Sequence, residues 1–254
     1  MIIRHFYWRG KKNFGDALGP LLLRHFSDLE TEWSPLKDAA YITVGSILDN
    51  LPVGWSGAVV GSGKLHEAST PDLTQATVFG LRGPLTARTV QLAGKRRDFC
   101  LGDPGLLADE LVPIQDKEYT LGLVPHWSDE GLEKRPEFQK FNPLIIRPSE
   151  DPLEVIAKIG KCRKIVASSL HGLIVADAFG IPRRTEMTPR FAKEGGDFKF
   201  RDHCAAIGME FKVGVTQEAP RARVQDRKHE VYDMLREVGR IVMGLGQDSA
   251  GART

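Results

Sequence analysis

Cysteine is scarce. Cys100, Cys162 and Cys204 are odd in number, far apart and form no Cys-x-x-Cys pair. This excludes a disulfide framework and a cysteine-held zinc site, and it leaves three thiols that read as packing residues. Long hydrophobic runs are missing too. None approaches the roughly 20 apolar residues that span a bilayer, and Met1-Ile2-Ile3-Arg4-His5-Phe6-Tyr7-Trp8 is too short and too polar-flanked for a signal peptide, so a cytoplasmic protein is expected. Neither sign of charge dominates: 35 Lys and Arg against 33 Asp and Glu leave a formal net charge of +2. That balance removes the bulk electrostatic case for a nucleic-acid partner. No internal repeat is visible, and no cluster of His, Cys, Asp and Glu at ligand spacing marks a metal site. A nucleotide-triphosphate loop is also missing. Gly61-Ser62-Gly63-Lys64 follows an apolar run, but Ala58 stands where the first glycine of that loop belongs, and Leu65 stands where a Ser or Thr would hold magnesium.

What remains is an ordinary globular composition, 41% hydrophobic and 27% charged over 254 residues, enough for one large domain or two smaller ones. Short apolar strands alternate with helical patterns, which predicts an α/β protein with parallel sheets. In the first half strands are expected near Ile2–Trp8, Tyr41–Val44, Gly57–Val60, Ala76–Leu81 and Phe99–Leu101, and helices over Ala17–Ser27 and Pro84–Ala93, the latter stopped by Gly94. Ala108–Lys117 reads as a linker. The pattern then restarts, with strands near Tyr119–Pro125, Leu144–Arg147 and Lys164–Ala167 and helices over Leu132–Phe141, Pro152–Gly160 and His171–Phe179. Val224–Met243 reads as a closing helix, and Gly244–Thr254 as a frayed tail. Two Rossmann-like domains are expected, residues 1–112 and 118–244, with 245–254 as the tail.

The most telling stretch is Lys164-Ile165-Val166-Ala167-Ser168-Ser169-Leu170-His171-Gly172, a buried strand that hands His171 to the first turn of a helix. Ser168 and Ser169 are N-cap candidates. Free N–H groups and the dipole at such a helix tip favour an anion. Other strand ends carry polar groups: Asn13-Phe14-Gly15-Asp16, Leu81-Arg82-Gly83-Pro84, Gly102-Asp103-Pro104-Gly105, Val124-Pro125-His126-Trp127 and Ile145-Ile146-Arg147-Pro148. Asp16 reads either as a helix cap or as a group that activates a substrate hydroxyl. Arg82 reads as a surface residue or salt-bridge partner and Arg147 as a rim charge, or either as a fork for carboxylate and phosphate. Asp103 reads as a turn residue bonding its own backbone. Trp8, Trp33, Trp55 and Trp127 could stack on a sugar or simply pack.

Asn13-Phe14-Gly15-Asp16, Leu81-Arg82-Gly83-Pro84-Leu85-Thr86, Gly102-Asp103-Pro104, Val124-Pro125-His126, Ser168-Ser169-Leu170-His171-Gly172 with Ala176 through Pro182, and Lys199-Phe200-Arg201-Asp202 with Ile207-Gly208, in this order, resemble the polysaccharide pyruvyl transferase family, and within it the group related to the succinoglycan pyruvylation enzyme. The resemblance runs from residue 13 to about 208. It implies two Rossmann-like domains facing each other across a cleft, as in the B type of glycosyltransferase. It also implies transfer of the pyruvyl carbon of phosphoenolpyruvate onto two hydroxyls of one sugar as a ketal, with release of phosphate and no cofactor. By its motifs His171 and Arg82 fall on donor-binding and catalytic positions; Asp16 joins them as a catalytic candidate, and Asn13, Gly15, His126, Arg147, Ser168, Ser169, Leu170, Gly172 and Lys199 are the substrate-binding candidates. One departure stands out. Many relatives carry an arginine where this chain has Ser169, so Arg147, Lys199 or Arg201 would have to replace its charge. A lipid-linked saccharide acceptor would bring the chain to the inner face of the plasma membrane, with Lys11-Lys12 and Lys95-Arg96-Arg97 as weak contacts. A nucleotide-sugar glycosyltransferase of the same architecture and a silent carbohydrate-binding protein are the rival readings.

Overall fold

The computed structural model describes residues 1–93, 98–129, 131–188 and 196–244. The expected stop at Gly94, the basic cluster Lys95-Arg96-Arg97 and the tail 245–254 lie outside these residues. The chain builds two sheets. In the first, β1 (Ile2–Phe6), β2 (Glu30–Trp33), β3 (Tyr41–Ile42), β4 (Ala58–Val60), β5 (Thr77–Leu81) and β6 (Cys100–Leu101) run parallel in the order β2-β1-β3-β4-β5-β6. In the second, β7 (Gly122–Val124), β8 (Leu144–Ile145), β9 (Ile165–Ala167) and β10 (Arg183–Thr185) are parallel, and β11 (Thr216–Gln217) closes one edge antiparallel, in the order β11-β10-β9-β7-β8.

Both orders reverse beside their own first strand. The first sheet grows outward from β1 to β2, then crosses back to β3; the second grows from β7 to β8, then crosses back to β9. In doubly wound sheets the crevice at such a reversal, outside the carboxyl ends of the strands, is where ligands bind. The topology thus repeats although no sequence repeat betrays it.

Seven helices serve these sheets among the described residues: α1 (Phe14–Ser27), α2 (Pro84–Thr89), α3 (Pro136–Gln139), α4 (Pro152–Gly160), α5 (Leu170–Ala178), α6 (Phe198–Ala206) and α7 (Arg221–Val242). Helix α4 starts where its sequence says it should. Asp151 accepts from the N–H of Leu153 at 2.9 Å, and Pro152 occupies the first helical position. Helix α5 is buried along its whole length, which is why its apolar residues show little one-sidedness. Helix α7 crosses back over the first sheet: Ser27 donates to the Leu235 carbonyl at 2.7 Å, Gly239 lies against the Ser27 backbone, and Lys228 reaches Asp109 at 2.7 Å. One apolar cluster runs through the molecule, from Ile3, Leu18 and Leu22 through Leu106 and Ala108 to Val155, Ile165, Ile174 and Leu235.

Several expectations shift. The first four residues of the expected linker, Ala108 to Leu111, form the end of a 3₁₀ helix (Pro104–Leu111), and Ala108 is fully buried in the shared core. The helix expected over Leu132–Phe141 is a short 3₁₀ turn, Leu132–Lys134, followed by α3, because Pro136 can only begin a helix. Helix α2 ends at Thr89, where Val90 turns extended. Strands β2, β10 and β11 and helix α6 were not expected. Glu30-Thr31-Glu32-Trp33 is an exposed edge without an apolar face, and Arg183 in β10 is buried only because Asp177 accepts from its Nε at 3.1 Å.

The three thiols pack as expected. Cys162 and Cys204 are buried, and burial pushes the Cys100 and Cys162 thiols up to about 12. His5, fully buried in β1 beside Thr43 at 3.0 Å, is pushed down by burial from 6.5 to about 3. The native state therefore stays neutral there while the unfolded chain takes up a proton below its own value. Stability contributed by His5 is present above pH 6.5 and is lost as the pH falls toward 3. Between pH 6.5 and 5 the loss is about 2 kcal/mol, at about 1.4 kcal/mol per unit. Urea unfolding of wild type and His5→Gln at pH 7 and pH 5 checks this: the wild type should lose about 2 kcal/mol more than the variant. Equal losses would mean that His5 does not stay neutral in the fold.

Candidate active site

A cavity of about 300 Å³ opens at both chain reversals. From the first sheet it is lined by Phe6 at the end of β1, Trp8 beyond it, and Gly45, Ser46 and Ile47 beyond β3; from the second, by His126 and Trp127 beyond β7 and by Ser169, Leu170 and His171 beyond β9. Asn13, Asp16, Asn50, Leu65 and Lys199 complete the lining.

Local sequence explains how each group arrives. Ser169 caps α5 by accepting from the N–H of Gly172 at 3.1 Å, which places His171 in the first turn with its backbone among the unpaired donors of the helix tip. Helix α1 begins at Phe14 rather than at Ala17. Asn13 is its N-cap residue but makes no capping bond; instead its amide donates to Asp16 at 2.7 Å and turns that carboxylate into the cavity. Pro20 lies inside α1, so the Asp16 carbonyl receives no helical N–H from it. Gly15 does not line the cavity, yet it shapes it. A Cβ there would fall 2.2 Å from His171 Nδ1, so only glycine lets the imidazole lie against α1, with Phe14 edge-on to the same ring at 6.4 Å.

His171 is 7% exposed, and its Nε2 faces Asp103 Oδ2 across 3.7 Å. That separation is longer than a hydrogen bond, and both atoms are buried without a hydrogen-bond partner. Asp103 behaves as expected with its other oxygen, which accepts from Gly105 N–H at 2.9 Å. Burial drives its carboxyl up, but His171, the Gly105 N–H and Arg82 together hold it below the ordinary range. The role of Asp103 toward His171 escaped the sequence reading because the turn already explained the residue.

Burial also pushes the Asp16 carboxyl up, against the pull of His171, Asn13 and Lys199. Lys199, from α6, is pushed down to about 7, first by burial and then by Arg82, with Asp16 pulling the other way. Burial thus shifts an acid and a base toward each other in one small chamber, a pattern common in sites that move protons.

Five expected site residues do not line the cavity. Gly15 has been placed. Gly172 is the close approach of α5 to β7, where a Cβ would meet Val124 at 2.8 Å. Ser168 supports the loop after β7, donating to Asp129 at 2.6 Å and accepting from His126 N–H at 2.9 Å. Arg147 is 55% exposed in its side chain and pairs with Glu133 at 3.1 Å on the surface. Arg82 is fully buried and spends its fork inside the protein: Nε on Asp202 at 3.1 Å, Nη1 on Ser46 at 2.8 Å, and Nη2 on the Lys64 carbonyl. Asp202 in turn accepts from the N–H groups of Leu85 and Thr86 at 2.9 and 3.0 Å and from the Thr86 hydroxyl at 2.6 Å, capping α2 from a different part of the chain. Gly83 is glycine because a Cβ there would lie 2.2 Å from the Asp202 carbonyl. The two motifs are plug and socket. Together they seat α6, and with it Lys199, against the first sheet.

Of the three cations that could replace the arginine absent at Ser169, only Lys199 lines the cavity; Arg201 pairs with Glu67 at 2.6 Å and Asp197 at 3.0 Å. Gly61-Ser62-Gly63-Lys64 is a structural turn in which buried Lys64 donates to the carbonyls of Glu67 and Ser69 and to the Thr89 hydroxyl. Among the described residues no group of three or more His, Cys, Asp or Glu side chains could hold a metal ion, and no helix is long and apolar enough to cross a membrane.

Comparison with known proteins agrees with the motifs. The chain is 30% identical over 223 residues to the succinoglycan biosynthesis protein ExoV of Rhizobium meliloti (strain 1021), covering 83% of this chain and 66% of that protein. It is 33% identical over 122 residues to an uncharacterized protein of Acanthamoeba polyphaga mimivirus, covering 43% of this chain and 40% of the other. The chain thus spans two thirds or less of these relatives. No solved structure matches it. The family model for polysaccharide pyruvyl transferase matches residues 51–184, just over half of the sequence and including β9, Ser169 and His171. The chain belongs to the polysaccharide pyruvyl transferase family.

Proposed function

We propose that this chain is a transferase that moves the pyruvyl group of phosphoenolpyruvate onto two hydroxyls of one sugar in an exopolysaccharide, as a ketal, with release of phosphate. The observation that carries the proposal is the meeting of His171, Asp16 and Lys199 with the open tip of α5 in one cavity between the two sheets. The two sheets are read as the two Rossmann-like halves of a glycosyltransferase B-type arrangement, and the cavity at both reversals supports this.

Phosphoenolpyruvate carries a carboxylate and a phosphate, and the N–H groups at the start of α5 together with Lys199 suit such a dianion. A bound dianion favours the ammonium form of Lys199, which burial alone opposes. His171 is assigned as general acid. With Nε2 turned to Asp103, Nδ1 is the nitrogen that delivers the proton to the methylene carbon. The central carbon becomes electrophilic, and a first sugar hydroxyl adds while its proton passes to Asp16, whose burial makes it a better base. The carbon–oxygen bond to phosphate then breaks as Asp16 hands its proton to the departing phosphate, and the second hydroxyl closes the ring and returns its proton to His171. One hydroxyl proton thereby ends on the new methyl group and the other on the released phosphate. Arg82 acts at one remove, through Asp202 and the seating of α6.

The test is acceptor-dependent release of phosphate from phosphoenolpyruvate, with the glycan product gaining a pyruvyl ketal by mass spectrometry. Release that depends on glycan supports the proposal. A melting temperature raised by a nucleotide sugar and not by phosphoenolpyruvate would overturn it in favour of glycosyl transfer.

A further inference from the structure

Trp8 and Trp127 occupy matching places in the two sheets, each just past the carboxyl end of its sheet's first strand, β1 and β7, and both line the cavity although 53% and 44% exposed. The other two tryptophans are used by the fold. Trp33 donates its indole N–H to the Tyr7 carbonyl at 3.0 Å, and buried Trp55 donates to the Ala39 carbonyl at 3.1 Å. Single exposed indoles are ordinary on a protein surface. Two that converge on one cavity from separate halves of the chain are not explained in that way.

Both are also held. The chain folds over the Trp8 indole at Gly10, where a Cβ would fall 2.4 Å from the ring, and Trp127 leans on His126 with ring centroids 5.1 Å apart. The lining also offers short polar groups, Ser46 and Asn50, and the titratable cluster of Asp16, His171 and Lys199 lines the same chamber. Held aromatic faces beside hydroxyl and amide groups match a pyranose ring, which presents an apolar C–H face and a rim of hydroxyls. They do not match a phosphate, which would seek the cations. We infer that Trp8 and Trp127 form the acceptor subsite, a pair of platforms that stack the saccharide ring and present its hydroxyls to Asp16 and His171. The choice of ligand rests on the pyruvyl-transfer reading.

The experiment is calorimetric titration of the full chain with cellotetraose, laminaritetraose and a galactotetraose, and separately with phosphoenolpyruvate, for wild type, Trp8→Ala, Trp127→Ala and the two phenylalanine variants. At least one oligosaccharide should bind the wild type, weaken by about tenfold or more in each alanine variant, and largely recover with phenylalanine, which keeps an aromatic face. Phosphoenolpyruvate affinity should be unchanged throughout. Failure of all three oligosaccharides to bind the wild type, or undiminished binding by both alanine variants, overturns the subsite. Saccharide binding that depends on the indoles in a protein that ignores phosphoenolpyruvate would keep the subsite and sink the donor assignment.

Discussion

Replacing His171 with glutamine lowers the turnover of pyruvyl transfer by about 10²–10⁴-fold, the range expected when a general acid is removed. Glutamine roughly preserves the volume and a polar end, so the loss is chemical rather than a cavity effect in a chamber where Gly15 and Phe14 lie against the ring. The affinity for phosphoenolpyruvate should change far less than turnover, because Lys199 and the tip of α5 remain. Steady-state kinetics with both substrates varied, beside melting temperatures of the two proteins, make the comparison. Turnover within about threefold of wild type would remove His171 from the acid role. Asp103→Asn gives the companion result. If Asp103 serves by orienting the ring across its 3.7 Å contact, its loss depresses turnover without touching donor affinity.

The second large effect concerns stability. Asp202→Ala leaves the fully buried Arg82 guanidinium without its carboxylate and uncaps α2 at one stroke. Breaking a buried ion pair from one side costs about 3–5 kcal/mol, since the remaining charge stays desolvated. In a chain of this size each kcal/mol moves the melting temperature by about 2–4 °C, so a drop of around 10 °C is expected by calorimetry. Adding Arg82→Met should restore part of that loss, because the stranded charge is gone. A single variant that melts within about 2 °C of wild type would show that the pair is not sealed from water. Donor affinity should fall alongside stability, because α6 carries Lys199 into the cavity.

The sequence showed Arg82 at a strand end before a helix, and that placement is correct: it follows β5 and precedes α2. It could not show where the fork points, because Asp202 lies 120 positions further on. A strand-end arginine facing a ligand and one facing a buried carboxylate have the same local pattern. Arg147 is the same case, its partner Glu133 being drawn to it by the fold. Asp103 forms the turn expected of it and does something further. One oxygen closes a turn that the sequence announces, and that satisfying local account concealed the other oxygen, which faces His171.

Read alone, the sequence determined that this is an α/β protein whose His171 stands in the first turn of a helix after a buried strand, with Asn13-Phe14-Gly15-Asp16 opening another helix. Those features are written in apolar periodicity, caps and turn residues, which act over a few positions along the chain. Only the tertiary structure decided that Lys199 is the cation that joins the cavity, that Arg82 is sealed behind it, that Asp103 faces the histidine, and that two tryptophans out of four stand over the opening. Each of those outcomes turns on which side chain meets which across distant segments. Charge pairing and close packing between distant segments settle such meetings, and a pairing across a hundred positions leaves no period in the sequence.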